Sequence, residues 1–435
     1  MVAQQPVNPT PSILPASCSH LFQNMLGSFV KTRRMLAATG ILVVLLISPT
    51  PSTANDNVVV IEIDGQKSTG RITSWASEKL IVAEESSREI ARPNIRSVSF
   101  DHPVRSSAGG QPMMIIFSNG DRISARPMSV SKDVLTVLWP LLEKMALTKI
   151  PLEKISAIIF ELPASNSERW RLFADLETLP PGSDLILLTN GDRATGELKQ
   201  FDSSFVELDA SANLLKIDRS RVRAIRLNPE LTNSTPTKGR RAIVTLTDGS
   251  RITATNVELT DGMLSVKSVG MGNLSLRLKA IASCQFFGER VIPLTDYQPA
   301  KVEFVPYLSG KWALVQNANV IHGPLSVRGT EYVTGLGMHS RMSVTYDLRG
   351  TEQAFQSVVG IDDAANGAGS VSFAIELDGR SVWTSSELSG KSPVTLAPEI
   401  KLQGSKQMTL TVNFGQFGDV SDYADWCEAV LILAP

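Results

Sequence analysis

Met114-Ile115-Ile116-Phe117-Ser118-Asn119-Gly120-Asp121-Arg122-Ile123 is the stretch that decides the fold class. An apolar run ends at Phe117, just before Ser118-Asn119-Gly120, and resumes at Ile123; Asn-Gly between such runs is the strongest short-range signal for a β-hairpin. The pattern then recurs. Val58–Gly65 leads into Gly70-Arg71-Ile72, Leu185–Arg193 leads into Gly196-Glu197-Leu198, and Ile243–Ile252 turns at Asp248-Gly249. Turns of this type ask for positive φ at both central positions. After each hairpin comes a second alternating pair: Lys79–Val82, Val134–Leu138, Phe205–Leu208 and Met263–Val266. Apolar residues spaced near three then close each copy, as in Leu152, Ile155 and Ile158. The turn glycines lie 55, 71 and 58 residues apart, room for a small bent barrel per copy.

Working outward, the chain divides as follows: a leader at 1–54; β repeats at 57–100, 112–160, 184–227 and 240–288; an insert with a short helix at 161–183; and a C-terminal domain at 302–435. The overall expectation is a mainly β protein, with tandem small β-barrel repeats followed by a β-sandwich. In the leader, Lys31, Arg33 and Arg34 precede the 13-residue apolar run Met35–Ile47, and Ser52-Thr53-Ala54 supplies small residues for cleavage. Thirteen helical residues span about 20 Å, short of the ~30 Å hydrocarbon core. The reading is a secretory signal peptide. The mature chain is then extracytoplasmic (secreted, periplasmic or at the cell surface), with no stable membrane span. Outside the leader, Cys284 and Cys427 are the remaining thiols, and sequence leaves their pairing open.

Composition narrows the function. Removing the leader's three cations from 42 leaves 39 basic residues against 43 acids, a net of −4 that does not favour nucleic acid, which needs a local excess of positive charge. The third copy's Gly191, Gly196, Leu198, Phe201 and Asp202 resemble the first motif of Sm-like barrels. No stacking aromatics accompany the turns, so no nucleic-acid partner is expected. Four histidines and three cysteines exclude a Cys-rich zinc module. Arg122, Arg193 and Arg251 follow the turns, and Arg71 sits near the same place. They read as a ligand-facing row, as solvated side chains, or as partners of the recurring Asp.

From residue 302 onward, short strand-like segments alternate with Gly, Asp and Asn, and Trp312, Trp383 and Trp426 appear. This suits an antiparallel sandwich. Gly335–Ser340 (GLGMHS), Val344–Leu348, Val359–Asp363, Gly369–Phe373, Asp378-Gly379, Trp383–Ser385 and Asp422–Trp426 (DYADW) resemble the NPCBM domain. That is the carbohydrate-binding module also attached to glycosyl hydrolases of family 98. The chain departs from the family at Tyr423, where His is frequent, and at Cys427. The resemblance implies a galactose-binding-like jelly roll holding a sugar in its rim loops, with a galactose-type glycan as the first candidate.

An aromatic face against the sugar's C–H surface, with fixed polar groups reading its hydroxyls, is the chemistry required. The candidate carbohydrate-binding residues are His339, Asp362, Asp363, Tyr423, Asp425 and Trp426. Each has a plainer reading: the tryptophans as core plugs, His339 as a satisfied structural histidine, and Asp362-Asp363 as turn caps or as ligands of a structural Ca²⁺. No catalytic residues and no other cofactor are assigned, because neither a Gly-x-Ser-x-Gly elbow nor a phosphate loop is found. The expected function is a secreted, non-catalytic glycan binder with the repeats as spacer or docking array for protein partners. The alternatives are a scaffold with a degenerate sugar site and an accessory part of a glycoside hydrolase system.

Overall fold

Hairpins built on the quoted turns generate most of the structure, a computed structural model. It describes residues 57–434 apart from 84–85, 105–112, 143–146, 164, 178–181, 212 and 233–236. The leader lies outside the described residues. No helix among the described residues is long and apolar enough to cross a membrane.

The turns use a different geometry from the one expected. Only the glycine has positive φ, +87° at Gly120 and +91° at Gly191. Gly120 N–H donates to Phe117 O at 3.0 Å and Phe117 N–H to Asp121 O at 2.8 Å, so the loop has three residues rather than two. The preceding Asn or Asp holds it from the side: Asp121 N–H donates to Asn119 Oδ1 at 3.1 Å and Ser250 N–H to Asp248 Oδ1 at 2.8 Å. Such Asx turns explain the Asn or Asp before each glycine.

Each quarter ends in a 3-10 turn and a closing strand, for example Leu152–Lys154 before Ile155–Ile159. Closing strands join the quarters in pairs. Ile95–Phe100 pairs with Ile281–Phe287, and Ile155–Ile159 with Val222–Arg226. One apolar cluster runs through all four, from Val60 and Leu80 to Ile225 and Leu264. The insert forms the helix Asn166–Glu177, whose Leu172 and Leu176 cover Ile159, Leu187 and Ala224.

The C-terminal region is a two-sheet sandwich. One sheet runs Val315–Gln316, Gly335–His339, Tyr423–Leu433 and Glu352–Ile361, with short strands beyond. The other runs Lys301–Phe304, Met342–Asp347, Gln407–Phe414, Ser370–Leu377 and Arg380–Thr384. Met338, Tyr346, Phe355, Phe373 and Trp426 fill the space between.

The strands of residues 57–287 and the sandwich belong to one compact unit, residues 53–435. Ile63, Ile243 and Phe287 pack on Ala354, Val430 and Ile432 of the sandwich's outer face. Of the arginines that follow the turns, Arg122 and Arg251 are largely buried in ion pairs, while Arg193 stays exposed beside its acid partner. Arg122 and Arg251 both reach Glu331 of the sandwich, Arg251 at 3.3 Å, while Arg193 meets Asp175 on the insert helix at 2.8 Å. The turn aspartate bonds backbone and hydroxyl instead. Asp121 is buried and accepts from Thr253 N–H at 2.9 Å and Thr253 Oγ1 at 2.6 Å, in the fourth quarter.

Asp121→Ala leaves both Thr253 donors unpaired in a dry site. A loss of about 1–3 kcal/mol in urea unfolding is expected. An unchanged midpoint would contradict the clamp.

Candidate functional site

The strand Tyr423–Leu433 places the Asp-Tyr-Ala-Asp-Trp segment, and it corrects the sequence reading. That segment reads as a rim loop, yet most of it is central strand, paired with Gly335–His339 on one side and Glu352–Ile361 on the other. Strand alternation sends Ala424 and Trp426 into the sandwich core. Trp426 is fully buried, 5.2 Å from Phe373 and 6.4 Å from Trp383 by ring centroids. It is a core plug and no sugar platform.

Asp425 points to the opposite face, where residues 317–333 cover it. Its cross-strand neighbours are Gly337 and Gly360. A Cβ on Gly337 would lie 2.4 Å from Ala318 O, and one on Gly360 2.4 Å from Val327 Cγ1. The two glycines therefore let the covering segment lie directly on the sheet.

Under that cover the acids form one cluster. Asp362 accepts from Asn319 Nδ2 (2.9 Å), Ser326 N–H (2.9 Å) and Ala364 N–H (2.8 Å). Asp363 accepts from Ser326 Oγ (2.6 Å), Arg328 N–H (2.9 Å) and Gly329 N–H (2.8 Å). All four oxygens are thus filled by N–H or O–H donors. A Ca²⁺ takes about six to eight oxygen ligands, and among the described residues no group of three or more His, Cys, Asp or Glu is placed to hold a metal ion. Asp362 is buried and Asp363 half-buried, and both pin the covering segment rather than face a ligand.

Asp425 is 0% exposed, and neither of its oxygens has a donor. Burial first, and then the Asp362 carboxylate, push its pKa well above the usual range. Burial therefore favours the neutral carboxyl at Asp425 over its carboxylate.

His339 and Tyr423 come together elsewhere, at the end of the sandwich. His339 is 2% exposed, its Nδ1 lies 2.8 Å from Ser340 O, and Trp312 stacks flat on it with centroids 4.3 Å apart. Phe304 and Tyr423 complete the cluster at 6.4 and 6.0 Å from the imidazole. His339 is therefore the floor of an aromatic rim and not its contact surface.

The exposed part was missed from sequence. It consists of Tyr307 (56% exposed) and Phe417 (67%), with Leu308 and Val420 beside them. Tyr307 lies 5.4 Å from Phe414 and against Gly418, where a Cβ would come within 3.2 Å of its ring. The signal for it is an aromatic among small residues in a loop, Tyr307-Leu308-Ser309-Gly310 and Gly415-Gln416-Phe417-Gly418. Asp422 underpins the rim by accepting from Ser340 Oγ (2.5 Å) and Ser370 N–H (2.8 Å). Cys284 and Cys427 are both buried and free.

A two-layer sandwich with an aromatic end is a class with known members. Residues 299–432 match the NPCBM/NEW2 domain family, and this part of the chain is an NPCBM domain. A Renibacterium salmoninarum protein that carries the name of an endo-alpha-N-acetylgalactosaminidase is 28% identical over 144 residues, 32% of this chain and 10% of that protein. The chain thus matches about a tenth of that relative's length. Among solved structures, the CBM51 of a Clostridium perfringens GH95 in complex with methyl-galactose is 21% identical, with 32% of this chain and 99% of that one covered and a TM-score of 0.30. The CBM51-2 and INT domains of Clostridium perfringens ZmpB, in complex with GlcNAc, are 17% identical, with 44% and 43% covered and a TM-score of 0.30.

Asp425→Asn keeps the shape of the protonated acid. The wild-type proton is held in the fold and released in the unfolded chain above pH ~4. Asp425 therefore subtracts stability as pH rises from there toward its folded pKa. The variant should melt higher than wild type at pH 7 and lose that advantage near pH 4; a variant that melts lower at pH 7 would contradict a neutral Asp425. Trp426→Ala should cost about 3–5 kcal/mol, as core truncations do. A loss under 1 kcal/mol in urea unfolding would return Trp426 to the surface.

Proposed function

We propose that the protein is a secreted, non-catalytic carbohydrate binder whose glycan rests on the aromatic rim of the C-terminal sandwich. The match of residues 299–432 to the NPCBM/NEW2 domain carries this reading. The rim supports it with chemistry. Tyr307 and Phe417 offer exposed ring faces, Trp312 is fixed by its stack on His339, and Arg341, Gln416 and Glu387 are exposed polar groups around them. Ring faces of this kind cover the C–H side of a sugar, and the polar rim reads its hydroxyls. Two of the nearby acids are engaged: Asp422 holds Ser340 and Ser370, and Glu387 accepts from Ser370 Oγ and from Gln416 N–H at 3.1 Å. The repeats serve as a fixed base, through Glu331 and the apolar contact around Val430 and Ile432.

A scaffold reading draws on a separate observation, the burial of Asp362, Asp425 and Trp426. A glycan array with the full chain separates the two. The expected result is binding to galactosides or another surface glycan, weakened at least tenfold by Tyr307→Ala combined with Phe417→Ala, with the melt unchanged. No binding across the array would leave the scaffold. Released reducing sugar would restore an enzyme.

A further inference from the structure

A polar cleft of about 490 Å³ lies where the first repeat meets the sandwich, well inside the size range of small-molecule sites, about 300–1,000 Å³. Its walls come from separate stretches of chain: Glu62–Asp64 and Asn94 of the first repeat, Arg290 of the connection, and Gln353, Glu399, Lys401 and Gln403 of the sandwich. Its lining shares no residue with the aromatic rim.

The lining is built to read hydroxyls. Arg290 uses one Nη on Asn94 Oδ1 at 2.8 Å, and Glu399 accepts from Gln356 Nε2 at 2.7 Å. The side chains of Gln353, Lys401 and Gln403 make no hydrogen bond or ion pair among the described residues, so two amides and an ammonium face the cleft uncommitted. Each amide is donor and acceptor at once, as a hydroxyl is, and pairs with it in either direction. Opposite charges are interspersed: Glu62, Asp64 and Glu399 against Arg290 and Lys401. Three acids and two bases disfavour a phosphate or another polyanion. Ile63, Ala354 and Ile432 supply an apolar strip and belong to the cluster that fixes the two parts together. Aliphatic surface beside mixed donors and acceptors matches a sugar ring, with C–H groups on its faces and hydroxyls at its edge.

We propose that this junction cleft is a second binding site, for a neutral polyhydroxylated ligand such as a glycan segment. The site does not depend on the rim reading. It requires the repeats and the sandwich together, so the isolated sandwich lacks it.

The test is isothermal titration of the full chain with lactose, maltotriose and N,N′,N″-triacetylchitotriose. Wild type is compared with a cleft variant (Gln353→Ala with Gln403→Ala) and a rim variant (Tyr307→Ala with Phe417→Ala). Tyr307, Phe417 and Gln403 are exposed and Gln353 half-buried, and thermal melting checks that both variants fold. The expected result is that the rim variant still binds at least one probe, and that the cleft variant weakens this binding at least tenfold. Binding lost in the rim variant alone overturns the cleft and leaves the rim standing. Binding lost in the cleft variant alone supports the cleft and removes the rim. No binding of any probe, or equal binding by all three proteins, overturns the cleft.

Discussion

Both faces of the strand Tyr423–Leu433 are covered, and much of the C-terminal structure follows from that constraint. Trp426 and Leu431 face the sandwich core. Cys427 lies beneath Leu325 and Val327 of the covering segment. Val430 and Ile432 meet Ile243 and Phe287 of the repeats. One strand thus connects the sandwich, its outer cover and the repeats. A positive φ of 45° at Glu428, where its pairing with Glu352–Ile361 shifts register, lets apolar residues serve both faces along its length. Glu428 itself then reaches the repeats, at Gln285 Nε2 (2.8 Å) and Arg96 (3.3 Å).

This arrangement governs where recognition can occur. A sheet buried on both faces offers a ligand its ends and its junctions, not its strands. The rim loops extend beyond the covered region and carry the exposed aromatics. The acid cluster sits within it, and there its chemistry is structural. Desolvation is the dominant force on Asp425, and a neutral carboxyl beside a bonded carboxylate avoids two adjacent charges in a dry site.

The fold class was legible because its signals are local. Asn-Gly and Asp-Gly turns, Asx bonds two residues away and alternating apolar positions lie within ten residues of one another. The sandwich was legible in the same way, from short alternating runs and the ordered NPCBM-like motifs. The site was not, because its determinants are distant in sequence. Asp425 reads as a surface acid until Gly337 and Gly360 are placed beside it. His339 reads as a ligand until Trp312, 27 positions earlier, stacks upon it. Arg122 meets Glu331 across 209 residues, a pairing that no local pattern announces. The Asp-Tyr-Ala-Asp-Trp segment misleads for a related reason. Its polarity resembles a loop, while Ala424 and Trp426 are buried by the facing sheet and Asp425 by a covering segment about a hundred residues upstream.

Backbone amide hydrogen exchange over residues 424–432 of the full chain tests the two-sided cover most directly. The account predicts that these amides exchange among the slowest in the protein, opening only with global unfolding. Rapid exchange at Asp425 and Trp426, with the neighbouring strands still protected, would contradict it and place those side chains back within reach of a ligand.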